Sequence, residues 1–226
     1  MTLHNSAFIF DIDGTLVDLR KIWENTYNGL YQQQCGFTLT DAEMKSMFGP
    51  PELECHTAIL RGRNLYTEKR AQELVQCTED TMLLTLAKTD VISHIISEVI
   101  PCLQKLQQHN SHLAIATGNI GSIAKEILAH SGLQDYFPVV SFSSPDTQER
   151  YQIVEKAKQG LEEKFGTPFA LTATYVIGDT PSDIKAAKKL GFVSVGVATG
   201  NYSLQELAQH NPDLLLRNLA ELVRKI

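Results

Sequence analysis

The chain has 226 residues, 43% of them apolar, and a formal net charge of -6 from 20 Lys+Arg and 26 Asp+Glu mixed along its length. That length allows one domain or two small ones around a substantial core, and the lack of a Lys/Arg-rich block excludes the electrostatic footprint of a nucleic-acid binder. Cys35, Cys55, Cys77 and Cys102 are widely spaced with no CxxC pair, which is the usage of a reduced compartment and neither a disulfide framework nor a zinc site.

The chain begins MTLHNSAFIF, without the basic-then-apolar pattern of a signal peptide, and no apolar run approaches a membrane span. A soluble cytoplasmic protein is expected, with no membrane partner. The first strand is expected at residues 7–10, a short run rich in Phe and Ile. From residue 19 to 99 the pattern turns helical. Ile22, Trp23, Thr26, Tyr27, Leu30 and Tyr31 suit one helix; Met44, Met47 and Phe48 suit a shorter one; Leu74, Val75, Met82, Leu83 and Leu86 suit a longer one. Pro50–Pro51 and residues 62–64 break the run.

Strand-length apolar runs resume at residues 113–116, 139–142, 175–177 and 193–197, with a weaker one at 214–216. Helical patterns lie between them at 102–109, 120–131, 151–165 and 182–190, and Gly132 and Gly191 sit at C-cap positions. Such alternation predicts a Rossmann-like α/β fold, a parallel β-sheet flanked by helices. A helical insert after the first strand would hang over that strand's C-terminal end, where open α/β sheets bind ligands. The expected division is a core of residues 1–17 and 99–226 and an inserted helical cap of residues 18–98, joined through linkers near 17–20 and 90–98.

Three motifs fall just after strands. Asp11-Ile12-Asp13-Gly14-Thr15-Leu16 follows the first; alternate residues of an extended segment share a side, so Asp11 and Asp13 would present two carboxylates together. Gly14 permits a sharp turn. Thr117-Gly118-Asn119 follows the strand at 113–116 with a hydroxyl, an approachable glycine amide and a carboxamide, all able to bind phosphate oxygens ahead of a helix N-terminus. Gly178-Asp179-Thr180-Pro181-Ser182-Asp183 follows the strand at 175–177. Pro181 suits a first helical turn, and N-capping accounts for one of the two acids there but not for both. Turns after parallel strands share one sheet edge, so four carboxylates would converge and need a hard cation with oxygen ligands, for which Mg²⁺ is suited.

DxDGT, TGN and GDTPSD in this order resemble the haloacid dehalogenase-like hydrolase superfamily, in particular its helical-cap branch with phosphoglycolate phosphatase-like enzymes. The likeness implies a Mg²⁺-dependent phosphatase acting on a small phosphorylated metabolite through an aspartyl-phosphate. It implies Asp11 as nucleophile and Asp13 as general acid–base. The metal would be held by Asp11, the Asp13 backbone carbonyl, Asp179 and Asp183, and the phosphate by Thr117, Gly118 and Asn119. The family's usual lysine is missing. Arg150, three positions before Ile153–Val154, falls in its place, with Lys156 and Lys158 as substitutes. The second aspartate separates the chain from metal-free dehalogenases. The motifs are shared with β-phosphoglucomutase-like phosphomutases, and a non-catalytic phosphate-binding regulatory protein is the rival from another class. They fit monomer and homodimer alike. The seven histidines show no ligand spacing and read as structural or surface residues. Trp23 reads as cap packing, while His56, Arg61 and Arg63 could meet an anionic part of a substrate.

Overall fold

The computed structural model describes residues 5–147 and 149–225, leaving His4 outside them. Six parallel strands form one sheet in the order β3-β2-β1-β4-β5-β6: β1 (Ala7–Phe10), β2 (His112–Ile120), β3 (Val139–Ser143), β4 (Thr174–Gly178), β5 (Val193–Val197) and β6 (Leu214–Leu216). The expected Rossmann-like sheet is present, with β1 near its centre. Among the described residues, five α-helices lie between β1 and β2, the first four within the expected insert: α1 (Arg20–Cys35), α2 (Asp41–Ser46), α3 (Glu52–Gly62) and α4 (Glu68–Leu86). The remaining helices are α5 (Val99–Gln108), α6 (Gly121–Ser131), α7 (Arg150–Phe165), α8 (Pro181–Leu190), α9 (Leu204–Ala208) and α10 (Leu219–Lys225).

Alternation along β1 sets the layers. Phe8 and Phe10 join a cluster with Leu103 and Leu106 of α5, Ile123 and Ile127 of α6 and Leu222 of α10. Ala7 and Ile9 face the opposite layer, made by Ile153, Val154 and Ala157 of α7 and Ala187 of α8. The first cluster continues into the cap, where Trp23, Tyr27, Leu60, Leu74 and Met82 belong to it. One apolar mass therefore spans a sheet face and the cap.

The two crossings into the cap run side by side. Asp18 donates its N–H to the His94 carbonyl at 2.8 Å, and Ile96 donates to the Leu16 carbonyl at 3.0 Å. Local signals explain the cap helices. Thr40 starts α2 with a capping box, and Gly36 ends α1 in the left-handed conformation at φ 78°. Sequence periodicity misses α3 as a separate helix. Pro51 precedes it at φ -57°, and the segment after it turns at Asn64 with φ 57°, so the two breaks are its boundaries.

One element differs from expectation in a way that touches the site. β2 does not stop at residue 116. It runs on through Thr117, Gly118 and Asn119 to Ile120, which pairs with Ser143 across a register irregularity. The TGN tripeptide thus lies on an irregular strand end, and α6 starts only at Gly121.

Gly29 sits exposed inside α1, and a Cβ there would meet nothing within 4 Å. Gly29→Ala should raise unfolding free energy by about 0.5–1 kcal/mol, read as a higher denaturant midpoint at unchanged m-value.

Candidate active site

Strand order brings the motifs to one edge. β1 lies between β2 and β4, so the residues that follow β1 and β4 meet those at the far end of β2 at the C-terminal edge. Asp11, just past β1, donates its backbone N–H to the Ile177 carbonyl at 2.9 Å. Gly14 turns the chain with φ 74°, and a Cβ there would collide with the Asp179 carboxyl. Gly200, after β5, closes on the same carboxyl from another side.

The Asp11, Asp179 and Asp183 carboxylates are buried, with ligand oxygens all within 4.8 Å of one another. Arg150, the first residue of α7, is 5% exposed and reaches under them. Its Nη2 forms an ion pair with Asp11 Oδ1 at 2.8 Å and donates to Asp183 Oδ1 at 2.6 Å and to the Ala116 carbonyl at 2.7 Å; its Nε donates to Asp183 Oδ1 at 3.0 Å. Its buried Nη1 has no hydrogen-bond partner. Lys156 is exposed and Lys158 pairs with Glu162 at 2.5 Å, so neither reaches the cluster.

Asp183 also belongs to a capping box. Thr180 is the N-cap of α8, with its hydroxyl donating to Asp183 Oδ2 at 2.6 Å, and Pro181 opens the helix. Among the described residues, Asp179 has no cation of its own. Thr15 Oγ1 donates to it at 3.3 Å, and burial, with the charges of Asp11 and Asp183 added, pushes its pKa well above the usual range. Burial likewise raises Asp11 to about 7, against the pull of Arg150 and with Asp183 adding to the push. Burial opposes the Arg150 charge as well, but Asp11 and Asp183 outweigh it and hold its pKa above the ordinary value. Three close buried carboxylates face one guanidinium. That donor set fits a hard divalent cation.

Asp13 has different company. Trp23 Nε1 donates to Oδ1 at 2.7 Å and Asn119 Nδ2 to Oδ2 at 2.6 Å. Burial raises its pKa to about 6, these two donors pull it down, and the charge of Glu52 pushes it up again. Trp23 packs on Tyr27 as its periodicity suggests, with ring centroids 5.3 Å apart, but its indole N–H is also a site group. An aromatic stripe carries no sign of that second role. The Asn119 carboxamide, expected on phosphate, gives one N–H to Asp13, and its backbone N–H donates to Thr117 Oγ1 at 3.2 Å.

The cap closes the cleft from above. Asp11, Asp13 and Thr117 form its floor, and Trp23, Phe48 and Glu52 are among its cap-side walls, around about 370 Å³ of space that includes the open mouth. Gly118 approaches cap backbone rather than open space: a Cβ there would clash with the Pro50 carbonyl. A Cβ on Gly49 would lie 2.6 Å from Thr180 Oγ1. The cap cations turn elsewhere. Arg63 pairs with Glu43 at 2.6 Å, Arg61 lies over the Tyr66 ring, and His56 is fully buried.

A parallel sheet with a helical cap over buried aspartates at its C-terminal edge defines a capped α/β hydrolase with a carboxylate-rich site. The haloacid dehalogenase-like hydrolase family model matches residues 8–197, and the chain belongs to that family. It is accordingly a hydrolase. It is 21% identical to a putative pyrophosphatase PpaX of Clostridium perfringens over 96% of this chain and 95% of the relative. It is 28% identical to a 5'-nucleotidase of Pseudomonas aeruginosa over 95% and 92% of the two chains. The structure of β-phosphoglucomutase from Clostridium difficile shares the fold with a TM-score of 0.81 at 19% identity, covering 98% of this chain and 96% of that one. Among the described residues, no helix is long and apolar enough to cross a membrane.

Gly118→Ala should force the cap off the strand end, because the obstructing Pro50 carbonyl is backbone and cannot swing aside. The expected result is a larger radius of gyration in small-angle scattering and faster proteolysis at the crossings. Gly62→Ala, whose Cβ meets nothing within 4 Å, should change neither.

Proposed function

We propose that the protein is a Mg²⁺-dependent phosphatase that hydrolyses a small phosphate monoester through an aspartyl-phosphate on Asp11. The observation that carries this reading is the pairing of buried Asp11 with Arg150 Nη2 at 2.8 Å, beside a carboxylate cluster short of cations. In this reading residues 18–98 act as the cap, consistent with the paired crossings at Leu16–Asp18 and His94–Ile96.

Asp11, Asp179 and Asp183 would hold the ion through their carboxylates, together with the Asp13 backbone carbonyl. When bound, it offsets the repulsion between carboxylates and phosphate and polarises the phosphoryl group. An Asp11 carboxylate oxygen attacks phosphorus as the bond to the leaving oxygen breaks, and that oxygen takes a proton from Asp13. Asp13 then removes a proton from water, whose oxygen attacks phosphorus and frees Asp11. A carboxyl poised at about 6 by burial against two N–H donors suits a group that gives a proton and takes one back.

Arg150 does the work usually given to lysine. Its Nη2 and Nε fix Asp11 and Asp183, and Nη1 remains as a buried donor for a phosphate oxygen. Thr117 and Gly118 complete the phosphate side. The cap keeps bulk water from the reacting atoms.

Asp11→Asn should lower kcat on an aryl phosphate by at least about 10³-fold, as expected for a lost nucleophile, with the far-UV circular dichroism of the folded protein retained. Mg²⁺ should raise the wild-type melting temperature, and Asp179→Asn should remove that shift. A shift of equal size in the variant would take Asp179 out of the metal site, whatever the activity.

A further inference from the structure

One polar cluster in the cap is not used by phosphoryl transfer. Glu52, the first residue of α3, is 4% exposed and lines the cleft together with Asp13. Tyr27 Oη donates to Glu52 Oε2 at 3.0 Å. Oε1 lies 3.0 Å from His56 Nε2, one helical turn along, yet off the line of the ring N–H, and it has no hydrogen-bond donor. His56 is occupied by other partners: Nδ1 meets Tyr31 Oη at 2.9 Å and Nε2 meets Thr78 Oγ1 at 3.1 Å. The result is a rigidly backed acid at the cleft wall with one buried acceptor lacking its donor. Such an oxygen is costly to bury unless a ligand supplies that donor.

The charge balance of the cleft points the same way. Its lining holds Asp11, Asp13 and Glu52, and no Lys, Arg or His. Arg150 lies beneath the phosphate side, and Arg61 and Arg63 are engaged by Tyr66 and Glu43. A carboxylate or second phosphate on the leaving side would meet acids without a counter-charge. A neutral carbon skeleton suits the apolar walls of Trp23, Met47, Phe48 and Pro50.

We propose that Glu52 is the specificity residue of the cap, accepting a hydrogen bond from a hydroxyl or ammonium group on the leaving alcohol. The site then selects monoesters of polyols or amino alcohols over substrates whose leaving group is itself anionic. This inference rests on the phosphatase reading. It sets the chain apart from a relative named as a pyrophosphatase.

The test is kcat/KM with Mg²⁺ for glycerol phosphate, phosphoethanolamine, phosphoglycolate, pyrophosphate and 4-nitrophenyl phosphate. Wild type should favour glycerol phosphate or phosphoethanolamine over phosphoglycolate and pyrophosphate by at least about tenfold, the scale on which a site built for a donor rejects substrates lacking it. Which of the two is preferred identifies the donor as hydroxyl or ammonium. Glu52→Gln, which keeps an acceptor for Tyr27, should shrink that ratio by about tenfold or more. A wild-type preference for phosphoglycolate or pyrophosphate overturns the proposal, and so does a ratio that Glu52→Gln leaves unchanged. In either case turnover of 4-nitrophenyl phosphate leaves the phosphatase reading standing, whereas no turnover of any compound removes both. The wild-type ratios decide the matter even if the variant does not fold.

Discussion

The pairing of one buried guanidinium with Asp11 and Asp183 is what the rest of the site is arranged around. Three carboxylates in one buried corner repel, and burial raises the pKa values of Asp11 and Asp179. Arg150 stabilises two of the three from below, at the junction of β1, β2, α7 and α8, and leaves Asp179 without a cation. The site is thus electrostatically incomplete at Asp179. An arginine serves this bridging better than a lysine would, since its planar fork reaches both aspartates and the Ala116 carbonyl and still has Nη1 free. The same contacts tie helix starts to strand ends, because Asp183 both caps α8 and receives Arg150.

Closure of the cap over that corner depends on shape more than on charge. Gly49 and Gly118 let backbone from the two sides come together where any Cβ would intrude. Beneath them the apolar cluster runs without a break from Phe8 and Phe10 of the sheet to Trp23 and Tyr27 of the cap. Polar links at the rim of the seam, such as Lys45 to Glu206 and Ser122 to Glu79, sit in partly exposed positions, while inside it the Trp23 indole N–H donates to Asp13. An exposed ion pair contributes at most about 1 kcal/mol, so apolar burial holds the cap more strongly than these links do. A cap held this way can separate from the sheet without breaking a buried ion pair.

Much of the fold was legible because its strands are short apolar runs between turn residues, and β1, β5 and β6 begin and end where those runs do. The exceptions have local causes. The end of β2 was hidden because Thr117, Gly118 and Asn119 look like loop residues, while strand pairing of Ile120 with Ser143 keeps them extended. The α3 helix was hidden because a proline pair and a glycine–asparagine segment read as interruptions, although each marks a helix end. Around the site, residue identity showed which acids converge but not how they are partnered. Asp11 and Asp13 are indistinguishable in a DxD motif, and only tertiary structure gives one a guanidinium and the other an indole and a carboxamide. Trp23 and Glu52 carry no motif at all; their proximity to Asp13 arises from how α1 and α3 pack.

That difference in partners gives a physical basis for dividing labour between two aspartates two residues apart. A cationic partner favours the ionised form and Arg150 pulls Asp11 that way, but burial, with the Asp183 charge added, outweighs it and leaves Asp11 at about 7, so its ionisation for attack needs further positive charge in this corner. Neutral donors orient a carboxyl while opposing the effect of burial only partly, and Trp23 and Asn119 do this for Asp13, leaving it near 6. Because Trp23 belongs to the cap, Asp13 keeps both of its N–H donors only with the cap in this position. In the proposed reaction the same closure that brings Glu52 against the leaving group therefore also aligns the proton that group must receive.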